Sequence, residues 1–361
     1  MAGRVPPAWV VKPLLATRNA IGRVHRGIVP PEVAVFERTL GIVDTKAIGV
    51  AAELGIADLL ATGPQHASQL AASCEADADA LTRLLRFLVG RGIFTRYRDG
   101  RFANNGASKL LQADNPDSLR EWVRFYGAPW HVDGWNRLDH SVATGESGFA
   151  AASGRSFWDH LKADRAAGEC FDTAMAQVSR LQTDLIAGAY DFDQCRRVCD
   201  VGGGTGTVLA GILVAHPDVR GVLFDVPEVV TRAAPVLDAR GVADRVDVVG
   251  GDFFASVPTG CDGYVLQAIV HDWDDDSVVR ILDNIRDAME PGGRILVLEQ
   301  TVPTGNGDHL VKALDLEMLV DTGAGRERTL DEFRALFARS HLRVERVIPV
   351  SISSILELVP A

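Results

Sequence analysis

Val198-Cys199-Asp200-Val201-Gly202-Gly203-Gly204-Thr205-Gly206-Thr207 joins an apolar run to a glycine turn, and a helix-forming run, Val208 to Ala215, follows at once. Glycine lacks a Cβ, so the backbone can turn sharply there and a ligand can come close. The turn opens onto a helix N-terminus, which favours a carboxylate or phosphate. Strand, glycine turn and helix together predict nucleotide binding at the edge of a parallel sheet.

The spacing narrows the ligand. Gly202, Gly204 and Gly206 give G-x-G-x-G, whereas the dinucleotide fingerprint needs Gly or Ala at 207, where Thr207 stands. Asp225 ends the next apolar run, Gly221-Val222-Leu223-Phe224, placed to accept from ribose hydroxyls. Gly251-Asp252-Phe253-Phe254 follows a third run and offers a carboxylate for an adenine amine and a ring for its apolar face. A fourth run ends in His271. This set resembles the S-adenosylmethionine (SAM) site of the seven-stranded methyltransferase fold. The resemblance implies SAM as cofactor and S-adenosyl-L-homocysteine as product, with Asp200, the three glycines, Asp225, Asp252 and Phe253 at the cofactor.

The alternation outward from this stretch is regular. Strands at 196–201, 221–225, 246–250, 263–270 and 293–299 are separated by helical runs at 205–215, 228–240, 252–256 and 275–289, which predicts a doubly wound parallel sheet. Segments 344–350 and 354–359 lie too close together for a helical crossover, so they pair antiparallel. Ligands then belong at the C-terminal strand ends, where Gly202, Asp225, Asp252, His271 and Glu299 fall.

In His271-Asp272-Trp273-Asp274-Asp275-Asp276 the later aspartates suit a helix start by capping and by the dipole. The stretch resembles the His-Asp-Trp motif of plant-type and actinobacterial small-molecule O-methyltransferases, whose histidine is the general base. The chemistry suits the residue type: a phenol, of pKa about 10, is mostly protonated near neutral pH, and an imidazole can accept its proton. Glu299, ending the fifth strand, and Glu327, in Gly325-Arg326-Glu327-Arg328-Thr329, match the family's glutamates that orient this histidine. For Glu327 there is also a bland reading as helix start, since Thr329 and Glu332 form a capping-box pattern. The resemblance implies that Trp273 lies against the adenine and that Asp315 and Met318 face the methyl acceptor. It departs at Gln267, a position that in the family usually carries a lysine near the cofactor.

The rest of the chain gives its organisation. Residues 1–30 form a basic arm with Arg4, Lys12, Arg18, Arg23 and Arg26, helical from Leu14 to Ile28. It lacks the apolar core and cleavage site of a signal peptide, which sets the expectation of a cytoplasmic protein. Contact of the arm with a membrane is disfavoured against a helical arm lying on a neighbouring subunit or a frayed tail. Residues 31–115 read as helices at Glu32–Leu54, Asp58–Ala61 and Ser68–Cys74, a leucine-striped helix through Leu81 and Leu88, and a hairpin at Asp99-Gly100. That is a winged helix. Its stretch Ala51-Ala52-Glu53-Leu54-Gly55-Ile56-Ala57-Asp58-Leu59-Leu60 resembles the family's dimerisation domain, implying a homodimer. DNA reading is disfavoured by the net charge of −11.

Residues 116–190 read as aromatic-rich linking helices that line the acceptor site, with Trp130 and His131 as candidate walls. Phe171, Met175 and Ser179 share one helical face. They resemble a family helix whose Phe and Met line the acceptor site and whose Ser reaches the cofactor carboxylate. Five cysteines with no paired metal spacing indicate reduced buried thiols and no metal.

Residues 191–361 complete the expectation: an α/β Rossmann-like SAM-dependent methyltransferase domain behind a mostly α winged-helix dimerisation domain. The function expected is methyl transfer to a hydroxyl of an aromatic, quinone or polyketide-like small molecule. Methyl transfer to an amine also stays open, since it needs the same geometry, and so do two readings of other classes. One is a SAM scaffold repurposed for hydroxylation or decarboxylation, the other a non-enzymatic SAM-sensing regulator.

Overall fold

In a computed structural model, residues 8–361 are described; Arg4 of the basic arm lies outside them, as do the side chains of Lys12 and Arg26. The chain divides into two units. The first holds Ile21–Asp133 and Trp158–Val178, the second Gly134–Phe157 and Ser179–Ala361 with the described residues before Ile21.

The first unit is built on helices. The expected helix at 32–54 is two, Pro31–Thr39 and Gly41–Glu53, because Leu40 leaves helical geometry at ψ 2. Helix Ala67–Ser73 and helix Ala78–Gly90 follow, the latter capped by the Asp77 carboxylate on the Ala80 N–H. Strands β1 (Phe94–Arg96) and β2 (Phe102–Asn104) pair antiparallel around Gly100, whose φ of 90 requires glycine. Leu70, Leu81, Leu85 and Leu88 close on Phe94 and Phe102 as one core. The leucine stripe of helix Ala78–Gly90 is thus buried in packing.

The second unit is a seven-stranded sheet of order β5-β4-β3-β6-β7-β9-β8. Its strands are β3 (Arg197–Val201), β4 (Arg220–Asp225), β5 (Val246–Gly250), β6 (Cys261–Gln267), β7 (Met289–Glu299), β8 (Leu342–Val350) and β9 (Ser353–Pro360). β3 to β7 are mutually parallel, and β9 pairs antiparallel with both β7 and β8. Successive residues feed opposite layers: Val198 and Leu223 enter one core, Cys199 and Val222 the other. Burial on both faces explains why β3 and β4 read as continuous apolar runs.

Three expected elements differ. The helix at 228–240 is broken into Pro227–Val230 and Ala234–Ala239, the second restarting with a proline in its first turn, where a missing N–H costs nothing. No helix forms at 252–256, because Asp252 Oδ1 accepts from the Phe254 N–H and holds a local turn. The fourth strand stops at Gln267, not 270: Ala268 turns to φ 56 and Val270–Asp272 is a short 3-10 turn. Cys195, Cys199 and Cys261 are buried, but Cys74 and Cys170 are half-exposed, short of the full burial expected.

Candidate active site

At the end of β3 the glycine loop is closed by its own backbone and by Asp225. Gly202 and Gly203 N–H donate to Phe224 O, and Gly204 N–H donates to Asp225 Oδ2 at 2.8 Å. Gly202, Gly204 and Gly206 sit at φ 71, 60 and 85. A Cβ on Gly204 would meet nothing within 4 Å, so the loop faces open space there. Beneath it, Asp200 is buried, its Oδ2 has no hydrogen-bond partner among the described residues, and burial beside Asp225 pushes its carboxyl up to about 7.

Around the loop stand the other expected cofactor residues. Phe253 packs edge-on against Phe254 and Trp273, with ring centroids 4.8 and 5.9 Å away. Ser179 Oγ–H donates to Gln267 Oε1 at 3.0 Å. Gln267 is thus tied by an amide contact at the position where a lysine was expected.

The second cluster forms where β6 gives way to the 3-10 turn. Glu299, buried at the end of β7, accepts on Oε1 from the N–H groups of Ile269, Val270 and His271 at 3.1, 2.8 and 3.3 Å. Those groups had left the sheet, and one carboxylate oxygen gathers them. Its Oε2 accepts from His271 Nδ1 at 2.7 Å. A carboxylate offers no proton, so Nδ1 carries the hydrogen and, in the neutral ring, Nε2 is the lone-pair nitrogen. Nε2 lies 3.4 Å from Asp272 Oδ1.

Glu327 joins them: one ligand atom each of His271, Glu299 and Glu327 lie within 4.8 Å of one another. Glu327 N–H donates to Asp315 Oδ1 at 2.9 Å, and its buried Oε2 has no hydrogen-bond partner among the described residues. Arg326 N–H donates to His271 O at 2.7 Å.

The electrostatics follow from crowding. Burial opposes an imidazolium, but the carboxylates of Glu299, Asp272 and Glu327 outweigh it and hold His271 up at about 10. Burial raises Asp272 to about 7 and Glu327 to about 8.

The comparisons with known proteins bear on what this edge does. Residues 135–342 match the O-methyltransferase domain profile, and residues 36–114 match the O-methyltransferase dimerisation domain. The chain is 42% identical to the mitomycin biosynthesis 6-O-methyltransferase of Streptomyces lavendulae, over 88% of this chain and 91% of that protein.

The chain belongs to the SAM-dependent O-methyltransferase family.

The structure of the mitomycin 7-O-methyltransferase superposes with a TM-score of 0.86 at 40% identity, covering 95% of this chain and 100% of that one. The neocarzinostatin-biosynthesis O-methyltransferase, in complex with SAM and 2-hydroxy-5-methyl naphthoic acid, superposes at 0.76 with 36% identity, covering 88% and 96%.

In this O-methyltransferase, Asp315 and Met318 lie one turn apart on helix Leu310–Asp321, and Asp315 is tied to the His271 cluster through Glu327. The first unit holds Trp130, His131, Phe171 and Met175. There Phe125 contacts the Trp130, His131 and Phe171 rings at 5.7, 4.3 and 5.6 Å.

Two features of the second unit escaped the sequence. Asp272 is hidden inside an acidic run whose later members, led by Asp274, cap a helix. Buried Glu317, accepting from Trp135 Nε1–H at 2.9 Å, joins partners 182 positions apart, a separation no local pattern encodes. Among the described residues, no helix is long and apolar enough to cross a membrane.

Proposed function

We propose that this enzyme methylates a hydroxyl of an aromatic, quinone or polyketide-like small molecule, with His271 accepting the hydroxyl proton on Nε2. The observation that carries the reading is the double use of Glu299. One oxygen fixes the turn, and the other fixes the Nδ1–H tautomer, which leaves Nε2 for chemistry, the logic of a triad. Glu327, once ionised, adds a second carboxylate that favours the imidazolium formed on proton transfer.

The loop residues fit SAM: an open glycine turn before a helix N-terminus, with a carboxylate on the next strand. Gly202, Gly204 and Gly206 would hold the amino-acid end with Ser179 and Gln267, Asp225 the ribose, and Asp252, Phe253 and Trp273 the adenine. When bound, SAM supplies an activated sulfonium methyl open to in-line displacement. The chain's own residues remove a proton, align the acceptor and exclude water. The carboxylates around His271 hold its proton affinity above that of a free imidazole, which makes it a stronger base toward a phenol. Near neutral pH the imidazole is mostly protonated, so the rate rises with pH.

A homodimer is part of the proposal. Its support is the dimerisation-domain match and the exposed apolar side chains Phe36, Ile42 and Val50 in that region, a surface that monomers rarely leave bare.

The test is methyl transfer from labelled SAM to phenols, catechols and hydroxyquinones, by the native enzyme and by His271→Ala. Native transfer that falls about 10³-fold in the variant, with SAM binding retained, is expected. Equal transfer by both would remove His271 as base.

A further inference from the structure

Arg328 has the largest of the fully buried side chains in the described structure. A guanidinium carries five N–H donors and cannot lose its proton in a protein, so burying one is costly unless every donor is paired. Here all five are. Nε and Nη2 donate to Asp275 Oδ1 at 3.1 and 2.7 Å. Nη1 donates to Val270 O and Arg326 O at 3.0 and 3.2 Å, and Nη2 also donates to Trp273 O at 2.9 Å.

Those partners are not scattered. Val270 immediately precedes His271 and Trp273 follows it by two, so the planar fork brackets the turn that carries the imidazole. The Arg328 backbone reaches a second segment: Thr301 and Arg328 form an isolated parallel bridge, and Val302 N–H donates to Arg328 O at 3.0 Å. Thr301 lies two residues beyond Glu299. The third segment is Arg328's own, with Glu327 as its neighbour. The three strands of chain that deliver His271, Glu299 and Glu327 therefore converge on one residue that touches none of the reacting atoms.

We infer that Arg328 is a positioning residue for methyl transfer: its fork sets the registry of the His271 turn against Glu299 and Glu327. The inference rests on the reading of His271 as base. Glu299 holds the turn from the sheet side through three N–H groups, and Arg328 holds it through its carbonyls. A turn whose N–H groups and carbonyls are both anchored has little freedom to tilt the imidazole, and tilts of this kind cost rate steeply. Lysine cannot replace it. An ammonium has three donors at one point, and cannot span Val270 O and Trp273 O while keeping Asp275.

The experiment compares Arg328→Lys and Asp275→Asn with the native enzyme. It reads kcat, acceptor KM, SAM affinity by calorimetry, thermal midpoint, and the downfield proton signal of the His271 Nδ1–H, assigned by its absence in His271→Ala. Expected for Arg328→Lys is a kcat lower by about 20-fold or more, KM and SAM affinity within about threefold, and a shifted or lost Nδ1–H signal. Asp275→Asn keeps the three carbonyl partners, so about a fivefold loss with a smaller shift of the same signal is expected. A folded Arg328→Lys with native kcat and an unmoved signal overturns the inference, as does a lowered thermal midpoint with native kcat. If Arg328→Lys does not fold, Asp275→Asn decides, and native kcat with an unmoved signal there overturns it. Full activity in His271→Ala would instead overturn the base itself, an outcome distinguishable from these.

Discussion

The glycine loop after β3 and the histidine turn after β6 sit side by side on one sheet edge, yet they are built by opposite means. The loop is made of backbone. Three positive-φ glycines and N–H groups bonded to Phe224 O and Asp225 form it within a short span of chain. The turn is made of side chains from distant segments. Glu299 comes from the next strand, and Glu327 and Arg328 from a loop more than fifty residues away. A backbone site fails when it is crowded; a side-chain site fails when one member stops holding another.

The sharpest way to break that contrast is Glu299→Gln. The amide keeps an oxygen for the three N–H groups of the turn but presents an NH₂ to the ring. Nδ1 then becomes the acceptor, the hydrogen moves to Nε2, and the nitrogen that should take the acceptor's proton is already occupied. A loss of about 10²–10⁴-fold in kcat is expected with SAM affinity unchanged. Loss of the carboxylate also lowers the His271 pKa from its raised value, so the residual rate climbs at lower pH than in the native enzyme. The same proton appears in stability. The folded His271 binds it more tightly than the unfolded chain, whose value is 6.5, so this stabilisation is full below 6.5 and is lost as pH rises through about 10. In Glu299→Gln that part of the pH dependence of unfolding flattens, which chemical denaturation across pH will read. A native kcat in the variant would show that the tautomer is immaterial.

Gly203→Ala probes the loop by crowding. Its Cβ would stand 2.6 Å from Leu223 Cδ1 and 2.7 Å from the Asp200 carboxyl carbon. Both neighbours are buried and cannot give way freely, so the backbone must shift. Overpacking of this kind costs about 1–3 kcal/mol in stability. We expect SAM affinity to weaken by about tenfold, with kcat at saturating SAM closer to native. Calorimetry with SAM reads the first and single-turnover methyl transfer the second. An unchanged affinity would separate the loop from the cofactor.

The same division explains what the sequence made legible. Gly202, Gly204, Asp225 and the strand rhythm lie in short windows, and the sheet followed from them. The tie between His271 and Glu299 was reached through resemblance, since nothing local joins residues 28 apart. The position of His271 was misjudged by the strand reading, because Ile269 and Val270 are as apolar as any strand residue. Their N–H groups turn to Glu299 and not to a neighbouring strand. Asp272 and Arg328 were lost in charged runs whose members look alike until burial separates them. The winged-helix leucines carried their own signal, as their heptad-like stripe belongs to one helix.

Thr329→Ala tests the boundary between scaffold and site at its finest. Glu327 has two readings, helix start or partner of His271, and the helix start falls to Thr329 and Glu332. Thr329 Oγ1 accepts from Glu332 N–H at 3.2 Å, and Glu332 Oε2 accepts from Thr329 N–H at 2.8 Å, a complete capping box. Glu327, two residues earlier, is tied to Asp315 and not to the cap. Removing the hydroxyl costs about 1 kcal/mol of stability. It leaves Arg328, and through it the turn, anchored by five hydrogen bonds that do not involve Thr329. We therefore expect a lower thermal midpoint with kcat within about twofold of native. A kcat that fell in step with stability would mean that the helix start, and not the buried guanidinium, sets where Glu327 meets the imidazole.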